Sequence, residues 1–259
     1  MQEQCLESLV SASADAQHPD DHSVTPRQLT QYTLSIIFRC MDIGERARMF
    51  AALGEPVRLA MVDDLAVSDR APVELAERHG LASNLLAHHL DVLEQAALIE
   101  RSRSSGDGRR RYVRLRHEVL DVLGVGMAVP EGPVVFVCTH NSARSQMAAA
   151  VWSATRPTPA SSAGTHPVHR VHPGAVAAAA RAGYDLSEAL PRSIGDVAME
   201  ESIVVTVCDR AHEELEPGAD WLHWSIPDPV ERASPDAFDT ALTELETRIK
   251  TLTGGPHHD

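Results

Sequence analysis

The sequence predicts two domains of different fold class, a mainly α-helical domain followed by an α/β domain. The chain has 259 residues, which exceeds the commonest domain size of roughly 100–150 residues. Helical periodicity with one pair of extended segments in the first half changes to alternating strands and helices in the second. A Pro-Glu-Gly-Pro stretch at 130–133 separates the two patterns. We therefore predict a polar, disordered tail at 1–26, a first domain at 27–128 and a second domain at 132–254.

Helix signals dominate the first domain. Pro56 and Pro72 stand in first turns, Gly54 and Gly80 stand at helix ends, and Ser83 is an expected N-cap. The segments that we predict as helices are, in order, RQLTQYTLSIIFRCMDI, ERARMFAALG, EPVRLAMVDDLAV, APVELAERHG, NLLAHHLDVLEQAALI and, just before the break, HEVLDVLGVGM.

A basic hairpin follows the fifth of these helices. In IERSRSSGDGRRRYVRLR, two extended segments flank Ser-Gly-Asp-Gly, which is a strong turn signal. Two short helices, a turn and a basic hairpin together predict a winged helix-turn-helix. The net charge of −14 argues against nucleic-acid binding by the chain as a whole, but Arg101 to Arg116 holds seven arginines and one acidic residue, Asp107. A basic patch on an acidic body is consistent with local DNA contact.

The second domain alternates strands with helices. Its predicted strands are VVFVC, PASSAGT and SIVVTVC, with HWSIPDPV as a strand end or loop. Its predicted helices are ARSQMAAAVWSAT, HPGAVAAAARAG and SPDAFDTALTELETRIKTLTG, the last with Ser234 as N-cap and Pro235 in its first turn. This alternation is typical of a parallel sheet with helices on both faces.

Candidate chemistry lies at the first strand-to-helix turn of this domain. Cys138 ends the strand and Arg144 starts the helix. Backbone N–H groups of such a loop and of the helix N-terminus converge on a tetrahedral oxyanion, and a guanidinium can grip two of its oxygens. That positive environment favours a nucleophilic thiolate at Cys138, with a hydrogen bond from Ser145. The expected oxyanion-binding residues are Thr139, His140, Asn141, Ser142, Ala143, Arg144 and Ser145.

The segments VCTHNSARSQMA, SAGTHP, HPGAVAAAARAGYDLS, VVTVCD and WSIPDP resemble the low-molecular-weight protein tyrosine phosphatases and the arsenate reductases of that fold. The resemblance covers residues 133–253 and implies a four-stranded parallel sheet. It also implies that Asp228, in Asp-Pro, is a general acid that protonates a leaving oxygen while Cys138 attacks. Asp209 and Asp236 are competing acids outside the matching motif.

The loop is closer to that of the arsenate reductases than to that of the phosphatases. Thioredoxin-coupled reductases carry a second loop cysteine and a later cysteine pair, but here Ala143 stands in the loop and Leu215 stands where the pair would end. Cys208 is the remaining candidate for a secondary thiol. The resemblance therefore implies a reductase without a tightly bound cofactor that uses an external thiol such as mycothiol, completed by a mycoredoxin-like partner.

The first domain, over residues 43–117, resembles the ArsR/SmtB winged-helix repressors, most strongly in HHLDVLEQAALIERSR. These are dimers that place a recognition helix in the major groove of operator DNA. The resemblance implies DNA contacts from Ser83, Asn84, His88, Arg109, Arg110 and Arg111. Many arsenic sensors of this family carry a Cys-x-Cys pair in the preceding helix, which RAPVELAERHG lacks. A trivalent arsenic site could involve Cys5 and Cys40 across the dimer.

Four scattered cysteines, the absence of a signal-like start and the lack of a long apolar run predict a cytoplasmic protein without a membrane span. The two resemblances together imply an arsenic-resistance fusion of a transcriptional repressor with an arsenate reductase. Its partners would be operator DNA and arsenate, with phosphate or sulfate as analogues. Two alternatives stay open: a phosphatase with the same catalytic residues, and a non-catalytic regulator whose loop only senses an oxyanion.

Overall fold

A computed structural model describes residues 43–116, 132–200, 202–218, 220–232 and 234–253. The predicted helix RQLTQYTLSIIFRCMDI, except its last residue, lies outside the described residues, as do HEVLDVLGVGM, Cys5 and Cys40. The described residues form two groups of elements, each with its own buried apolar cluster. We name these groups the first unit, residues 43–116, and the second unit, which starts at 132.

The first unit starts with helices in the predicted order: α1 (Ile43–Leu53), α2 (Pro56–Val67), α3 (Pro72–Arg78) and α4 (Ser83–Gln95). Glu55 caps α2, because its carboxylate accepts hydrogen bonds from two N–H groups of the first turn. The predicted N-cap at Ser83 is wrong. Ala82 takes the extended cap position without a side-chain hydrogen bond, and Ser83 is already the first helical residue.

The predicted hairpin follows α4 as β1 (Ile99–Arg103) and β2 (Arg111–Leu115), which pair antiparallel. A third extended piece joins them, because Arg70 forms an isolated antiparallel bridge with Val113. Their two backbone hydrogen bonds measure 3.1 and 2.8 Å. The core beneath is aliphatic, and its fully buried members include Met61, Leu65, Leu75, Leu93 and Leu98.

The second unit contains a parallel four-stranded sheet, as predicted. Its strands are β3 (Val134–Cys138), β4 (Ala160–Gly164), β5 (Ile203–Thr206) and β6 (Leu222–His223). Their order across the sheet is β4-β3-β5-β6. Every residue of β3 is buried. Because successive side chains of a strand point to opposite faces, both faces of β3 are covered, as in α/β proteins.

The helices of this unit are α5 (Arg144–Thr155), α6 (Pro173–Arg181), α7 (Asp209–Leu215), α8 (Pro229–Arg232) and α9 (Pro235–Thr253). A short 3-10 turn spans Ile194–Asp196. The predicted N-cap of α9 is confirmed, since Ser234 Oγ accepts the Ala237 N–H at 3.3 Å. Among the described helices, none is long and apolar enough to cross a bilayer.

The two units are in direct contact. At the end of α2, the Asp69 carboxylate accepts two hydrogen bonds of 3.0 Å each from the Arg248 guanidinium of α9. At the hairpin turn, the Ser105 N–H donates to the carboxylate of Asp209, the first residue of α7, at 2.7 Å. The turn of the predicted wing therefore packs against the second unit.

Candidate active site

The loop between β3 and α5 lies at the carboxyl end of the sheet, where open α/β sheets bind their ligands. Four of its carbonyl groups point outwards, because each accepts a hydrogen bond from a backbone N–H of the segment that follows β4. The pairs are Cys138 with Thr165, Thr139 with His166, His140 with Val168, and Ser142 with His172. The N–H of a trans peptide points opposite to its C=O. The N–H groups of these peptides therefore point to the other side of the loop, where the Asn141 N–H lies 3.2 Å from the Cys138 sulfur. The loop can act as an anion cradle.

Asn141 orients the hydroxyl that faces the thiol. Its Oδ1 accepts from Arg192 N–H at 2.8 Å and from Gln146 Nε2 at 3.0 Å, so its Nδ2 is the end that donates to Ser145 Oγ at 2.9 Å. The Ser145 oxygen lies 3.0 Å from Cys138 Sγ. Ser145 Oγ accepts from Asn141, so its own proton is free to donate to the sulfur when Cys138 is a thiolate. Asn141 itself has φ 48, in the left-handed region that asparagine tolerates better than most residues.

Arg144 connects the loop to the segment that carries the predicted acid. Its Nη1 donates to the Ile226 carbonyl at 2.9 Å, and its Nη2 donates to Asp228 Oδ2 at 2.6 Å. The guanidinium is buried, and its direction is therefore set by these two partners. The structure thus brings Cys138, Arg144 and Asp228 to one site, although 84 positions separate the last two.

Residues 133–256 match the family described as low molecular weight phosphotyrosine protein phosphatase. An arsenate reductase from Brevibacillus brevis is 33% identical over 129 residues, which span 45% of this chain and 90% of that protein. The chain belongs to the low molecular weight phosphatase family. An arsenate reductase from Halalkalibacterium halodurans is 32% identical over 136 residues, which span 46% of this chain and 93% of that protein. The crystal structure of an arsenate reductase from Archaeoglobus fulgidus has 30% identity and a TM-score of 0.40, covering 47% of this chain and 98% of that one.

Charge around the cradle of this family member is balanced by buried groups. Burial acts to lower the pKa of Arg144, but the negative charge of neighbouring acidic groups such as Asp228 raises it overall, so the guanidinium stays charged. Burial raises the pKa of the Cys208 thiol, which therefore stays neutral. Cys208 Sγ lies 3.3 Å from Thr139 Oγ1 and accepts the Ala211 N–H at 3.4 Å, so it borders the loop and caps α7.

The two competing acids do not occupy the position of Asp228. Asp209 is buried; desolvation acts to raise its pKa, but hydrogen bonds from His223 and from Ser105 N–H lower it to about 2. Its carboxylate is occupied by these two partners. Asp236 is exposed in the first turn of α9. Asp228 is the acid in contact with Arg144.

Several residues that shape the site carry no signal in the sequence. Gln146 Nε2 donates to the Asn141 carbonyl and to its Oδ1, at 3.1 and 3.0 Å. Gly164 ends β4 beneath the loop, where a Cβ would lie 2.8 Å from the Thr139 carbonyl oxygen. That close approach requires glycine. Of these two residues, only Gly164 could have been suspected, since it lies in the predicted strand segment PASSAGT.

The predicted DNA-contacting residues lie on the first unit and are exposed: Ser83, Asn84 and His88 along α4, and Arg109, Arg110 and Arg111 after the hairpin turn. Leu85 on the same helix is 45% exposed. The expected trivalent arsenic site at Cys5 and Cys40 falls outside the described residues.

Proposed function

We propose that the second unit is an arsenate reductase whose nucleophile is Cys138. The observation that carries this proposal is the cradle, in which the Cys138 sulfur faces the Ser145 hydroxyl at 3.0 Å and the Asn141 N–H at 3.2 Å. Hydrogen bonds of this kind stabilise a thiolate and a developing oxyanion. Both matched relatives named above are arsenate reductases, which favours arsenate over a phosphate ester as the substrate.

The first step follows from these positions. The cradle and Arg144 hold three oxygens of arsenate, and the Cys138 thiolate attacks the arsenic. Asp228 is the general acid in our proposal, and it protonates the fourth oxygen, which leaves as water. For this step Arg144 exchanges its bond to Asp228 for bonds to the substrate, which frees the carboxyl group for proton transfer. The product is a Cys138–arsenate thioester.

The electrons come from outside the chain in this proposal. Position 143 in the loop is alanine, and position 215 at the end of α7 is leucine. A small thiol, of which mycothiol is our candidate, displaces Cys138 from arsenic. A thiol of a mycoredoxin-like partner then attacks the sulfur of that adduct. The new S–S bond supplies two electrons, and arsenic leaves as arsenite.

The test is arsenate reduction by the purified protein with mycothiol and mycoredoxin, and separately with thioredoxin. We expect turnover only with the first system, none in Cys138→Ser, and most of it in Cys208→Ser, because serine also caps α7. Turnover with thioredoxin that Cys208→Ser abolishes would show an internal relay. Hydrolysis of aryl phosphates without arsenate reduction would establish the phosphatase alternative instead.

We further propose that the first unit is a winged helix-turn-helix repressor that binds operator DNA as a homodimer. This proposal is supported by the succession of α3, α4 and the hairpin, and by the exposed side chains on α4. A shift assay with DNA from upstream of the protein's own gene tests it, with His88→Ala and the triple variant Arg109→Ala/Arg110→Ala/Arg111→Ala against wild type. Equal binding by all three proteins would contradict the assignment of this surface to DNA binding.

The sensor alternative has its own test. If Cys138→Ser left arsenate resistance intact and arsenate still changed operator binding, the loop would be a sensor only.

A further inference from the structure

The end of α2 covers the outer edge of β6, the last strand of the sheet. The backbone N–H of Asp69 donates to the His223 carbonyl at 2.7 Å, and Ser68 Oγ accepts the His223 N–H at 2.8 Å. One residue earlier, the Val67 carbonyl accepts from Trp224 Nε1 at 3.0 Å. An uncovered edge strand leaves such groups unpaired. Residues of the first unit therefore complete the sheet of the second.

The Asp69 carboxylate extends this contact towards the active site. Its Oδ2 accepts the Ser225 N–H at 2.6 Å. Its negative charge is paired with Arg248 and lies 3.6 Å from Arg114 Nε. Burial acts to raise the pKa of Asp69, but Arg248 and Arg114 lower it, so the buried group is a carboxylate. A charged acceptor that is held by two arginines fixes the Ser225 N–H in place.

Ser225 begins the segment that orients the Arg144 guanidinium. The next residue, Ile226, offers its carbonyl to Arg144 Nη1 at 2.9 Å, and Asp228 binds Nη2 at 2.6 Å. The carboxylate that accepts the Ser225 N–H, that of Asp69, therefore belongs to the first unit.

We propose that Asp69, in the first unit, is a positioning residue for the oxyanion site of the second: it holds Ser225 N–H, and through Ile226 and Asp228 it orients the Arg144 guanidinium. The inference rests on the proposed binding of an oxyanion by Arg144 and the loop. It implies that the second unit alone has an incompletely ordered arginine. It also implies a mechanical link between the hairpin and the oxyanion site, because Arg70, the residue after Asp69, pairs with Val113 of the hairpin.

The experiment measures oxyanion binding without turnover. Iodoacetamide alkylates Cys138, and inorganic phosphate in the cradle protects it, so the protection curve at increasing phosphate gives a dissociation constant. We expect Asp69→Ala to weaken phosphate protection about tenfold, the effect of misplacing one charge-assisted hydrogen bond. Asp69→Asn, which keeps an oxygen for the Ser225 N–H, should recover most of that loss.

Ser68→Ala is the matched control, because it removes a hydrogen bond between the same two segments but none to Ser225. Equal weakening in Ser68→Ala and Asp69→Ala would overturn the inference, as would wild-type protection in a folded Asp69→Ala. If Asp69→Ala does not fold, the double variant Asp69→Ala/Arg248→Met repeats the test without a buried arginine that has lost one of its carboxylate partners. Absence of phosphate protection in the wild type would instead overturn the oxyanion cradle, and hence the proposed function. Phosphate protection without arsenate reduction would overturn only the proposal that the second unit is an arsenate reductase.

Discussion

Substitution of Gly106 by alanine should separate the hairpin turn from α7. A Cβ at this position would lie 2.5 Å from Glu213 Oε2 and 3.0 Å from the backbone N and Cα of Arg210. The glutamate side chain can move away, but the backbone of a helix cannot. The turn must therefore shift outwards, although its other residues keep their local conformation.

The cost can be worked from the bonds that this shift breaks. Ser104 Oγ donates to Glu213 Oε1 at 2.6 Å, Ser105 N–H to Asp209 at 2.7 Å, and Asp107 N–H to Glu213 Oε2 at 2.7 Å. A hydrogen bond contributes on the order of 1 kcal/mol net, and the exposed bond from Asp107 contributes less. The free energy of unfolding should fall by about 2 kcal/mol.

Gly108 provides the control, because a Cβ there meets no atom within 4 Å. Gly108→Ala should leave the free energy of unfolding unchanged or raise it by about 0.5 kcal/mol, since alanine restricts the unfolded chain. Urea unfolding followed by circular dichroism measures both variants. If Gly106→Ala is as stable as Gly108→Ala, the turn does not dock on α7 in solution, and the contact between the units is smaller than described here.

Two further predictions concern the acid and the buried histidine. Asp228→Asn should lower the turnover number for arsenate by about 10²-fold, because general acid catalysis supplies effects of that order. Asp236 is an exposed acid in the same unit, and Asp236→Asn should leave the turnover number unchanged. Equal kinetics for the two variants would contradict the assignment of Asp228 as the acid. Burial, with help from the charge of His223, lowers the pKa of His212 to about 3, below the value of about 6.5 in unfolded chains. The neutral folded state is therefore fully favoured above pH 6.5, and stability declines as the pH falls towards 3, by up to about 1.4 kcal/mol per pH unit. Urea unfolding at several pH values should show a shallower decline in His212→Gln, and identical slopes would refute the argument.

Local patterns predicted most elements, because each depends on residues close together in sequence. The hydrophobic run Val134–Cys138 predicted a buried strand, and Ser-Gly-Asp-Gly predicted the hairpin turn, as the structure shows. The predicted cap at Ser83 is wrong by one residue, because Ser83 is already helical and Ala82 takes the extended cap position.

The site was partly predictable. Cys138 and Arg144 belong to one loop, and Asp228 followed from the resemblance of its Asp-Pro motif. The roles of Asn141 and Gln146 depend on the direction of an amide group, which only the hydrogen-bond network decides. The predicted hairpin was expected to present its arginines to DNA. Its turn lies on α7, whereas the arginines that follow the turn are exposed, and their contact with DNA stays a prediction.

The sequence by itself determined the order of helices and strands in each half, the loop from Cys138 to Arg144 between a strand and a helix, and the residues Ala143 and Leu215 where the related enzymes would have thiols. These are properties of short segments, of periodicity and of composition. The tertiary structure alone decided that Asp69 meets Arg248 across 179 positions and holds Ser225. The chain has 37 acidic residues, and no local pattern distinguishes the one that is buried against an arginine of the other unit. Such a pair is stable only where packing excludes water and both charges meet, and that is a property of the assembled molecule.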